Sequence, residues 1–151
     1  MSIIAVRGGA SGSRLVADLV AASTALPTAP TAFVWPNVRV ADAQYNSTTG
    51  VITIARDCFF TSVANWTADI AAGQADFFAD AEFFVSGAWV RGTNSGRREE
   101  IRTADGDRTV SFGFSGFFAA GTILRFVAWS SSAVASVDTS TDQGTTIPAA
   151  R

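Results

Sequence analysis

Hydrophobic and polar positions alternate along most of this chain. The clearest run is 108–118, where Val110, Phe112, Phe114 and Phe118 share one parity and Thr109, Ser111, Gly113 and Ser115 share the other. A period of two held over that length predicts a half-buried strand. In Cys58–Ile70, Phe60, Ala64, Trp66 and Ile70 fall on one face and Thr61, Asn65, Thr67 and Asp69 on the other. Val51–Ala55 alternates with Ile52 and Ile54 inward. Two runs, Glu82–Arg91 and Thr122–Ser130, carry apolar residues on both parities, which predicts single strands covered on both sides.

Shorter runs at 33–35, 38–41 and 133–139 read as further strands, and 97–103 as a charged edge strand. Phe77–Asp80 reads either as a turn of helix or as the start of a strand. Turn residues gather at 46–50, 71–74, 92–96, 104–107 and 119–121. The Gly92–Gly96 cluster and the Asp105-Gly106 pair predict hairpins. About nine strands at turn spacings of about 8–12 residues give an all-β fold, an antiparallel β-sandwich or jelly roll.

The ends read differently. Residues 1–31 are rich in Ala, Ser, Gly and Thr and finish in Leu26-Pro27-Thr28-Ala29-Pro30, which predicts an extended N-terminal arm stiffened at its exit. Leu15, Leu19, Ala22 and Leu26 also fit a helical period, so a short helix over 15–26 is the competing reading. The sandwich is expected over 32–140 and a polar tail over 141–151.

Composition then narrows the chemistry. The 151 residues include no His and no Lys, all 11 basic residues are Arg, and there is one Cys. These absences argue against His-based acid–base catalysis, a catalytic triad, Schiff-base chemistry, a phosphate-loop lysine, an internal disulfide and Cys-rich metal sites. The expectation is a chain that is not an enzyme, with no catalytic, cofactor-binding or metal-binding residues and no cofactor. A net charge of −2 argues against nucleic acid as a partner, and no apolar stretch reaches transmembrane length, so no membrane partner is expected. Met1–Val6 is too short for a signal-peptide core.

Asp105-Gly106-Asp107 lacks the further oxygen ligands of a calcium loop and reads as a turn. Cys58, beside Phe59 and Phe60, reads as a buried thiol. The charged fraction is only 16%, against a usual value of about 25%, while the chain carries 12 Phe and four Trp. Trp35, Trp66, Trp89, Trp129 and Phe117 are the candidate core or subunit-interface aromatics. Strands apolar on both faces need cover, and a trimer axis supplies it. Ile3, Ile4, Arg7, Arg14, Leu15 and Leu19 are the candidate anchoring residues of the arm.

The order Phe33-Val34-Trp35-Pro36-Asn37-Val38, Tyr45, Thr49-Gly50-Val51-Ile52-Thr53-Ile54, Cys58-Phe59-Phe60-Thr61-Ser62-Val63 resembles the entry of the complement/tumour-necrosis-factor-like jelly roll. Phe117-Phe118-Ala119-Ala120-Gly121-Thr122-Ile123-Leu124-Arg125-Phe126 resembles a later strand pair of that family. Cys58-Phe59 stands where the family has Gly-Tyr, and Thr122 where it has Asp. The resemblance spans about 32–140 and is greatest to bacteriophage virion versions. It implies a homotrimer on the outer surface of a virion, made in the host cytoplasm, whose other partners are virion proteins, first the major capsid protein. The expected role is a decoration or cement protein; the alternative is a tail-fibre or head-fibre tip that binds a host glycan.

Overall fold

The computed structural model describes residues 4–7, 14–18, 23–40, 45–92, 96–105, 108–138, 140–142 and 145–147. The strands are β1 (Ile4–Arg7), β2 (Arg14–Asp18), β3 (Ser23–Ala25), β4 (Thr31–Ala32), β5 (Asn37–Val40), β6 (Val51–Thr53), β7 (Cys58–Ile70) and β8 (Gln74–Val85). They continue with β9 (Ala88–Arg91), β10 (Arg97–Arg102), β11 (Arg108–Phe118), β12 (Ile123–Ser130), β13 (Ala135–Asp138), β14 (Ser140–Asp142) and β15 (Thr145–Ile147). One 3₁₀ turn, Thr103–Asp105, precedes β11.

Two antiparallel sheets face each other. In the first, β7 is the spine. β11 pairs with it from Phe118↔Cys58 to Arg108↔Ala68. On its other side β13 takes one end and β1 the other, with β3 beyond β13, and β2 then β5 beyond β1. In the second sheet β8 is the spine between β12 and the end-to-end pair β10 and β9; β4 and β6 lie beyond β12. The pairings nest: β8 with β10 innermost, then β7 with β11, then β4 and β6 with β12, and β3 with β13 outermost. A chain doubled back on itself and wound into two sheets in this order is a jelly roll.

The alternation read from the sequence builds the core. Phe60, Ala64, Trp66 and Ile70 of β7 are all at or below 1% exposure. They meet Phe77 of β8, Phe112 of β11 and Phe126 of β12, all buried. Phe33, Trp35, Trp66 and Phe126 form one aromatic cluster, with centroid separations of 5.0 to 5.9 Å. Phe60, Phe83, Phe114 and Phe118 form a second one toward the other end. Cys58 is buried and free.

Several expectations are corrected. Glu82–Arg91 is not one doubly covered strand. Ser86 and Gly87 both have positive φ (52° and 87°), the mark of a tight two-residue hairpin turn, and β9 folds back on β8. Phe84, Val85 and Val90 are 42%, 53% and 50% exposed as a result. The alternation ran through the turn because Ser and Gly fitted its parity. Nor does 92–96 close a hairpin: β9 and β10 both pair with β8, so the chain steps along one edge. The Asp105-Gly106 region joins β10 of one sheet to β11 of the other, and Thr103 N–H donates to Gly73 O at 3.1 Å as the chain crosses.

Phe33-Val34-Trp35 lies outside the strands; Phe33 N–H donates to Phe126 O at 2.9 Å. Arg14–Asp18 and Ser23–Ala25 are extended, not helical, while 19–22 lie outside the described residues. The segment read as an arm is thus extended, but its described pieces lie on the sheets: β1 on β7, β3 on β13, β4 on β12. The segment read as a tail holds a small hairpin of β14 and β15. Phe77–Asp80 is strand, and Thr122–Ser130 is largely covered on both faces, with Val127 fully buried and Trp129 half-buried.

Candidate functional site: two outer faces

The inner faces of the sheets are filled by the core, so recognition falls to the outer faces. On the first sheet, the odd positions of β7 and β11 point outward. Phe59 is 52% exposed and Phe117, its direct cross-strand partner, 71%. Val63 lies four pairs along the ladder, on the same face, opposite Gly113. A Cβ built on Gly113 would stand 3.3 Å from Val63 Cγ2 and 2.7 Å from Ser62 O, so glycine leaves room there for the valine. The Thr61–Ser115 pair separates Val63 from the two rings, so the exposed apolar feature is the Phe59–Phe117 pair itself, and exposed rings of this kind mark interaction surfaces.

Edges differ in chemistry. β10 is charged at every position except the buried Ile101. Glu99 of β10 accepts from Arg97 at 2.8 Å and from Arg108 of β11 at 2.6 Å, so it ties the two sheets together at this side. β11 pairs only with β7 among the described residues, and over its 11 residues Arg108 is its one charge. Charges along an edge discourage further strand pairing, and β11 lacks that protection.

On the second sheet, the outward residues interleave rings and guanidinium groups. Phe78 and Trp129 stack at 5.1 Å and 11°. Arg91 lies 5.4 Å from the Trp129 ring centre, and Arg125 lies 4.1 Å from that of Trp89. Glu82 accepts from Arg125 Nε at 2.8 Å and from Nη2 at 2.7 Å. The Arg125–Glu82 pair sits at low exposure, 22% and 10%, which strengthens its charge-assisted contact over the value in open water. Arg91 has no ion pair and no hydrogen bond among the described residues.

The five aromatics selected from the sequence therefore separate. Trp35 and Trp66 meet in the core at 5.9 Å. Trp89 and Trp129 lie on the outer face of the second sheet, and Phe117 on that of the first. Of the arm residues, Ile4 and Arg7 fall in β1 and Arg14 and Leu15 in β2. Ile3 and Leu19 lie outside the described residues. Sequence reasoning passed over Phe59, Phe84, Arg91 and Arg125. Phe59 had a signal in its parity, which it shares with Thr61 and not with Phe60. The others depended on knowing that β8 and β9 form a hairpin. Among the described residues, no group of three His, Cys, Asp or Glu side chains could hold a metal ion.

No protein-family profile matches this chain, and no curated protein matches it. Among solved structures, the crystal structure of murine APRIL at pH 5.0 is similar over 84% of this chain and 85% of that chain, at 7% identity and a TM-score of 0.45. The jelly-roll assignment rests on the nested strand pairings.

Proposed function

We propose that this chain is a structural protein of a tailed-bacteriophage virion, a homotrimer that decorates the outer surface of the head and cements neighbouring capsid subunits. The assembly half rests on the Phe59–Phe117 pair, two aromatic rings turned to solvent on a regular sheet. Full burial of each would stabilise an interface by roughly 1.5–3 kcal/mol. The unprotected β11 edge adjoins this patch, so edge and face make one continuous surface for a neighbouring copy. Cyclic closure over three copies covers that surface without leaving an open end.

The virion half rests on the resemblance of the 33–63 and 117–126 segments to phage versions of the fold. In this reading the protein has no substrate: it adds buried area between capsomers, and the side of the first sheet that β1 and β2 build meets neighbouring capsid subunits. Its synthesis is in the host cytoplasm and its destination the outside of the particle.

Two measurements test it. Sedimentation equilibrium should give three chains per particle in solution, and a monomer at all concentrations overturns the trimer. Gold labelling of virions should mark the head. Labels confined to the tail overturn decoration and favour the fibre-tip alternative.

A further inference from the structure

β14 and β15 stand apart from the rest of the fold. They pair with each other, through Ser140↔Ile147, Thr141↔Thr146 and Asp142↔Thr145. Among the described residues neither joins a strand of the two large sheets. A hairpin of two three-residue strands is marginal in water without a further partner. β15 nonetheless suits a sheet: Thr145, Thr146 and Ile147 are all β-branched and uncharged. Pro148, which lacks an N–H, follows and ends the run. Each strand of the hairpin has an outer edge whose backbone donors and acceptors meet no strand.

The first sheet presents a matching edge. β11 pairs with β7 on one side and, among the described residues, with no strand on the other. Its one charge, Arg108, sits at its first residue and is tied to Glu99. At the other margins of the two sheets, β3, β4, β5, β6 and β9 are two to four residues long. β10 is charged at every position but Ile101. Among the described residues β11, with 11 residues, is thus the long uncharged edge.

A chain cannot cover this edge with its own hairpin. β13 and β11 both reach Ala68 of β7, from opposite sides. A strand added outside β11 would lie three strand spacings from β13, about 14 Å. Only Thr139 separates β13 from β14, and two steps of chain span at most about 7 Å. The hairpin therefore leaves from one side of the sheet while the bare edge lies on the other. A donor and an acceptor on opposite sides link copies head to tail, and such links close into rings.

We propose that β15 of each copy adds as a further strand to the β11 edge of its neighbour. The inference rests on the trimer reading and names the segment that one copy contributes to the next. Main-chain hydrogen bonds carry the contact, as in strand addition to any open sheet edge.

Hydrogen exchange and sedimentation equilibrium test it on the full chain, on a chain ending at Thr139, and on Thr146→Pro, which removes one N–H from β15 at full length. In the full chain at least one β11 amide that points away from β7 should exchange slowly. In both variants the same amide should exchange about tenfold or more faster, with the β7 amides and the circular dichroism unchanged. The trimer of each variant should need about tenfold or more protein to form. A full chain that is monomeric at every concentration overturns the trimer reading and this inference with it. A trimeric full chain whose outward β11 amides exchange as fast as those of the variants overturns the strand addition alone. So does a trimer that is equally stable in all three proteins.

Discussion

Phe59 and Phe117 face each other across the β7–β11 ladder, and both rings point into solvent. Among the described residues nothing covers them, and the inner face of the same ladder already holds Phe60, Phe112 and Phe114. Replacing both rings with Ser should cost the isolated fold little, within about 0.5 kcal/mol per site if surface rules hold. It should shift the sedimenting species from trimer to monomer. A double variant that remains trimeric would place the interface elsewhere.

The jelly roll was legible because its long strands alternate strictly, as in Cys58–Ile70 and Arg108–Phe118. The pairing order was not. Parity tells which residues share a face but carries no information on which strand lies beside which. The same limit explains the misread hairpin at Ser86-Gly87: a two-residue turn leaves the parity unbroken. The outer-face cluster was illegible for that reason, since Arg91 reaches the Trp129 ring and Arg125 the Trp89 ring only once β9 has folded back.

Gly50 stands at φ +72°, and a Cβ there would lie 2.6 Å from the carbonyl oxygen of Phe33. Gly121 has a similar φ, +83°, with nothing within 4 Å. Gly121→Ala therefore meets only the left-handed penalty of about 1–2 kcal/mol. Gly50→Ala adds a collision with backbone beside the Trp35 cluster and should cost clearly more. Paired urea melts check this, and equal midpoints for the two variants would contradict the close approach.

Arg125 binds Glu82 through two nitrogens while lying over Trp89. Lysine has no planar fork to do both, so Arg125→Lys should lose about 1 kcal/mol despite keeping the charge. Arg125→Met leaves a nearly buried carboxylate short of its partner and should cost about 2 kcal/mol or more. A double-mutant cycle with Glu82→Gln should recover a coupling above about 0.5 kcal/mol. Additive effects would mean the pair contributes packing alone.

Truncation separates sandwich from attachment. Leu26 is 4% exposed and its N–H donates to Ala135 O at 2.9 Å, while β3 pairs with β13. Removing residues 1–22 spares these contacts, although it strips β1 from β7 and β2 from β5, and should leave the nested ladders folded in a protein that no longer co-sediments with capsids. Removing 1–32 strips β3, Leu26 and β4, and should abolish cooperative unfolding, since losing one buried Leu side chain alone costs about 2–5 kcal/mol. Capsid binding that survives the shorter deletion would exclude the N-terminal residues from attachment.

Tyr45 latches the segment before β6 onto the core: its hydroxyl accepts from Trp35 N–H at 2.9 Å and donates to Trp35 O at 3.2 Å. Burial pushes the phenol above its ordinary value of 10.0, partly offset by the hydrogen bond with the Trp35 backbone. The fold therefore favours the protonated phenol. Its contribution is fully present below the unfolded value and is lost as pH rises through the folded one. The chain has one Tyr and no Lys, so tyrosinate absorbance reports this residue alone. Native protein should ionise at higher pH than the urea-unfolded chain, and stability should fall above about pH 10. Tyr45→Phe should be less stable by about 1 kcal/mol at neutral pH and should show a flatter alkaline decline. An unchanged alkaline slope in that variant would show that the latch is not what high pH releases.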